Sequence, residues 1–118
     1  MKPADIDALV NASLEGPRSV HTGHVGDPKS YVAKIEAEFC AKRVPPELEV
    51  VVLEREVAEP RLSPGLRDVY MICRSDPQSV FFDPETMSFG CAWGPQLPDM
   101  KYVDLGFRSQ DVLEMLSA

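Results

Sequence analysis

The apolar period of this chain changes once, at Pro45-Pro46, and that switch limits the fold more than any other feature. Upstream, apolar residues recur every three or four positions; downstream they alternate or run together in short β-branched blocks. Residues Pro3 to Leu14 read as a helix with Ile6, Leu9, Val10 and Leu14 on one face, stopped by Glu15-Gly16-Pro17. Asp27-Pro28 announces a second helix, with Asp27 as N-cap and Pro28 in the first turn. Its apolar face is Tyr31, Val32, Ile35 and Phe39, and Lys34, Glu38 and Lys42 stay wet. The two prolines then end it.

Five strands are expected beyond that point: Leu48 to Val57, Asp68 to Arg74, Val80 to Phe82, Met87 to Trp93 and Lys101 to Leu105. Turn chemistry separates them, in Pro60, Pro64 and Gly65, in Ser75-Asp76-Pro77-Gln78, in Asp83-Pro84-Glu85-Thr86 and in Gly94 to Asp99. The fourth strand places Met87, Phe89, Cys91 and Trp93 on one side, and Ser88, Gly90 and Ala92 on the other. That small side invites close approach by another backbone, a helix or a partner. Ser109 caps a last helix running to Leu116, with Asp111 in its first turn. The order ααβββββα implies an α+β fold, an antiparallel meander of about five strands with helices on one face. At 118 residues, one domain over 1–118 is expected.

Acids outnumber bases, 19 Asp and Glu against 12 Lys and Arg, for a formal charge of −7. Nucleic-acid affinity rests on basic residues facing phosphate, so that class is set aside, and an anionic membrane would repel the chain. A basic protein partner would be steered toward it. The plainer reading is that the charge keeps the protein soluble. Cys40, Cys73 and Cys91 are an odd number without paired spacing, which fits buried free thiols in a reducing cytosol. With no leader-like start and no apolar stretch of membrane-spanning length, a cytoplasmic location is expected.

His21-Thr22-Gly23-His24 offers two imidazoles in a loop, but zinc normally takes three or four ligands, so no metal and no cofactor are expected. Solvated histidines are one reading of His21 and His24; a general base or ligand loop is the other. Gly23 to Ser30 lacks the spacing and preceding strand of a phosphate loop. Cys73 and Cys91 alternate with large apolar residues and read as core rather than as nucleophiles. Glu54, Glu56 and Glu59, with Glu47 and Glu49, either guard a solvated strand edge or meet a cationic groove on a partner. Trp93 and Gln96, in Trp93-Gly94-Pro95-Gln96-Leu97-Pro98, suit a binding surface built on a rigid aromatic. Trp93 as the main core aromatic is the competing reading. No catalytic residue is assigned.

The stretch Val80 to Trp93, then Tyr102-Val103-Asp104-Leu105 and the helix from Ser109, resembles the closing half of the SUKH group of small bacterial toxin-immunity proteins. Phe81-Phe82-Asp83, Gly90 and Phe107 to Leu113 carry the likeness. The resemblance implies non-enzymatic neutralisation of a cognate toxin by tight binding, and transfers no individual binding residue. The expected function is therefore an immunity-type inhibitor of a basic bacterial toxin or effector. A secretion-type chaperone, for which a homodimer is expected, and a small ligand-binding domain or enzyme using the His21–His24 loop are the alternatives.

Overall fold

The computed structural model describes residues 1–18, 20, 26–59, 61–96 and 101–117, with the side chain of Gln96 outside that set. The elements are α1 (Pro3–Glu15), α2 (Pro28–Lys42), β1 (Arg43–Leu53), β2 (Gly65–Cys73), β3 (Gln78–Asp83), β4 (Ser88–Gln96), β5 (Lys101–Asp104) and α3 (Val112–Ser117). The α+β class and the order ααβββββα are as the sequence indicates.

The helix starts follow from local chemistry. The Asp5 carboxylate accepts the Lys2 backbone N–H at 3.0 Å at the head of α1. Asp27 accepts the Ser30 N–H at 3.3 Å at the head of α2, and the Ser30 hydrogen bonds lower its pKa. At α3 the cap is Asp111 rather than Ser109: its Oδ1 accepts the Leu113 N–H at 3.1 Å. Ser109 instead exchanges backbone hydrogen bonds with Phe89, and Phe107 is 52% exposed.

The strand boundaries differ most from the sequence reading in β1 and β2 and at the end of β4, which runs three residues further, to Gln96. Strand β1 begins at Arg43, directly after α2, and takes Pro45-Pro46 into a register irregularity between Arg43 and Glu47. Prolines are tolerated there because a bulge does not require their missing donor. Its end at Leu53 comes four residues early, and a Val57–Leu62 bridge lies between it and β2. Strand β2 starts three residues early, at Gly65 (φ 132°), a backbone conformation that favours glycine.

The expected meander closes on itself. β1, β2, β3, β4 and β5 pair successively antiparallel, and β5 then lies parallel to β1 at Val51↔Tyr102 and Val52↔Val103. The result is a closed five-stranded barrel. Closure gives each strand an inner and an outer face, so two apolar cores form. The inner one takes residues from every strand: Val51, Val69, Met71, Phe81, Ala92 and Tyr102. The outer one lies between helices and barrel wall, where Ile6, Val10, Ile35, Phe39, Val112 and Leu113 meet Ile72, Val80, Phe82, Phe89 and Cys91.

One link fixes two helices to each other. Arg18 donates to the Ser13 carbonyl at 2.6 Å and also to that of Leu14, which closes the C-terminal end of α1. Its other guanidinium nitrogen reaches the buried Asp111 carboxylate at 2.6 Å. Ser13 Oγ accepts the Val112 N–H at 2.9 Å. The end of α1 and the start of α3 are thus one hydrogen-bonded unit.

Candidate interaction surface

Helices cover the outer wall over β3, the first half of β4 and the end of β2, and α1 packs on the start of β1 through Arg43; among the described residues, Leu48, Val50, Leu66 and Trp93 stay exposed on the remainder. Register places the exposed apolar side chains in one line. Leu66 pairs with Val52, Val52 with Val103, and Val103 with Trp93, so four strands contribute one residue each to a transverse row. Neighbours of these residues point into the barrel, where Val51, Ala92 and Tyr102 are buried; alternation therefore turns the row outward. Leu66 is 64% exposed and Trp93 46%, with Val52 and Val103 half-buried between them. One pleat further along β1, Val50 and Leu48 extend the apolar surface, Leu48 at 66% exposed.

Trp93 is therefore not the main core aromatic; that place belongs to Phe39, Phe81 and Phe82, each nearly or fully buried. Phe89 and Cys91 share its side of β4 and are buried under helices. Helix cover ends before Trp93, and its ring meets solvent.

Acidic residues border this wall. Asp68 pairs with Val50 and is exposed; Glu54 and Glu56 follow the end of β1 and are exposed, as is Glu59 further round the loop. Lys101 and Arg55 supply opposing charge. Gln96 ends β4 opposite Lys101. His21 and His24 lie outside the described residues. Of the residues singled out from sequence, Trp93 lies in the row and Glu54 follows it two residues past Val52, and the row residues Leu66, Val52 and Val103 escaped the sequence reading. Their signal was legible: Val50-Val51-Val52-Leu53 is apolar on both faces of one strand, and an antiparallel strand of that kind has a second apolar face to account for.

A second cluster missed from sequence sits inside the barrel. Arg108 holds Asp104 bidentately at 2.7 and 3.0 Å and reaches Asp83 Oδ2 at 3.0 and 3.2 Å. Arg67 donates to the same Asp83 oxygen at 2.8 Å. Both carboxylate side chains are 0% exposed and Arg108 is 3%. The remaining acceptor sites take backbone N–H groups, of Glu85 by Asp83 at 2.9 Å and of Gly106 by Asp104 at 2.8 Å. Burial disfavours the Arg108 charge, but hydrogen bonds and attraction from Asp104 and Asp83 outweigh it and raise the pKa.

The small side of β4 exists for this cluster. A Cβ on Gly90 would lie 2.5 Å from the Phe81 ring and 2.8 Å from Arg108 Nη1. The guanidinium carbon stacks 4.9 Å from the Phe81 ring centre. Two guanidinium groups against two buried carboxylates, with the exposed Glu85 carboxylate 3.3 Å from Arg67, form a fully paired quartet suited to locking the barrel rather than to moving protons. Among the described residues, no buried side-chain nitrogen or oxygen lacks a hydrogen-bond partner.

The cysteines divide. Cys40 is exposed on α2, whereas Cys73 and Cys91 are buried. Burial pushes the Cys73 thiol up to about 11, and burial with the nearby Asp104 charge pushes Cys91 up to about 12. Neither is an activated nucleophile at neutral pH. Among the described residues, no three His, Cys, Asp or Glu side chains are grouped to hold a metal, and no helix is long and apolar enough to cross a membrane. An apolar groove of about 530 Å³ lies between α1 and the β3–β4 hairpin, lined by Leu9, Phe82, Met87 and Phe89. No family model, curated protein or solved structure matches the chain.

Proposed function

We propose that this protein is a non-enzymatic binding module, an immunity-type inhibitor that neutralises a basic bacterial toxin or effector by covering it. The observation that carries the reading is the uncovered barrel wall with Trp93 in its apolar row. A tryptophan left in water beside aliphatic neighbours is a binding anchor, because a rigid ring loses little entropy on contact. The formal charge of −7 adds attraction for a cationic partner and speeds encounter. The buried quartet and the alkaline-shifted thiols are already committed to the fold, so they leave the surface as the working part.

The test is direct mixing with the product of any neighbouring gene that encodes a basic protein, and the lack of such a neighbour counts against the reading. A stable complex is expected by sedimentation at low salt, with association slowing as salt screens the charges. Absence of any complex at low salt would remove the inhibitor reading.

A further inference from the structure

We infer that the bare wall takes a basic protein flat against the barrel, side chain to side chain, with an apolar residue of the partner seated on Val52, Val103 and Trp93 and its lysines or arginines on Asp68, Glu54 and Glu56. The inference rests on the binding reading above and assigns its place and mode.

Three observations select this occupant. At Val51 and Val52, strand β1 pairs with β2 on one side and β5 on the other, while β5 also pairs with β4. At Val52, Val103 and Trp93 both backbone edges are paired, and only the start of β2 at Leu66 is paired on one side alone, so across the centre of the row a partner cannot join by strand addition and recognition falls to side chains. The second observation is size. At ordinary side-chain areas the exposed parts of Leu48, Val50, Leu66 and Trp93 come to on the order of 400 Å² of apolar surface, the size at which patches on monomers are commonly functional. With a polar rim it approaches the roughly 800 Å² that each partner gives to a standard interface. The third is charge. The rim carries Asp68, Glu54 and Glu56 against Arg55 and Lys101, and the whole chain carries −7. A second copy would bring the same sign, whereas a basic surface complements the rim and the net charge together.

The chain has one tryptophan, and it lies in the row, so docking there has its own reporter. Random twelve-residue peptides displayed on phage are selected on the full chain, and the enriched peptide is titrated while Trp93 emission is followed. The expected peptide carries lysine or arginine beside a large apolar residue. Its binding shifts Trp93 emission to the blue and weakens with salt. Affinity should fall at least tenfold in Leu66→Lys and in Val52→Lys, the first keeping the test valid if the second misfolds. No enrichment over a blank surface, enrichment of acidic peptides, or equal binding to Leu66→Lys with unchanged emission would overturn the assignment. A blue shift on concentrating the protein alone would overturn it in favour of a second copy. If the neighbouring basic protein binds without changing Trp93 emission, the inhibitor reading stands and this wall is the wrong place. If peptides dock on the wall but the neighbour does not bind, the wall stands and the inhibitor reading falls.

Discussion

The two halves of the barrel's outer wall have the same backbone and similar side chains, yet only one is built into the fold. On the covered half, Phe82, Phe89 and Cys91 meet Ile35, Phe39, Val112 and Leu113 and are shut from water. On the bare half, Leu66, Val52, Val103 and Trp93 are just as apolar, yet Leu66 and Trp93 are exposed and Val52 and Val103 only half-buried. The difference is what packs outside, and it teaches that hydrophobicity on a strand reports burial only when the sequence also supplies a cover. Three short helices cover part of one small barrel. The uncovered remainder is available for another molecule.

The largest contrast is expected from truncating the covered side. Phe39→Ala removes a fully buried ring and should cost about 4 kcal/mol in urea unfolding. Next comes Arg108→Met, which keeps the stem but leaves Asp104 buried without its cation; about 3 kcal/mol is expected, with the Asp104→Asn, Arg108→Met pair less damaged than the sum of its singles. Gly90→Ala should cost about 2 kcal/mol, because Phe81 and Arg108 must both give way to the new methyl group.

The thiols sharpen the same division. A thiol reagent at pH 8 should label Cys40 in the native protein and reach Cys73 and Cys91 only on unfolding. Their folded pKa values, about 11 and about 12, lie above the ordinary thiol value of about 8.5. The protonated form is favoured by the fold, so that stability is full below the ordinary value and is lost as pH rises toward the folded values. Between about pH 9 and 11, stability should therefore fall more steeply in the wild type than in Cys91→Ala.

How much of this was legible in the sequence depended on the range of the interactions. Helix positions and the succession of elements along the chain follow from local periodicity and turn chemistry, with Asp27 and the Ser75–Gln78 turn as clear punctuation; the order of strands in the sheet does not. Barrel closure did not follow, because the Val51↔Tyr102 pairing joins residues half a chain apart and no local pattern encodes a parallel contact. The same distance hid the quartet: Arg67, Asp83, Asp104 and Arg108 each look like an ordinary strand-end charge, and only Gly90 hinted that something bulky approached. Trp93 reads from sequence both as an anchor and, by its alternation with Phe89, as a core aromatic. What alternation cannot say is where a helix stops covering the strand.

The comparison is tested most directly by the urea unfolding free energy of Leu66→Lys. Leu66 is an exposed member of the row, so the protein should keep its stability to within about 0.5 kcal/mol, as substitutions on an uncovered surface do. A loss of several kcal/mol, of the size expected for Phe39→Ala, would mean that the bare wall belongs to the core and is not a surface held for a partner.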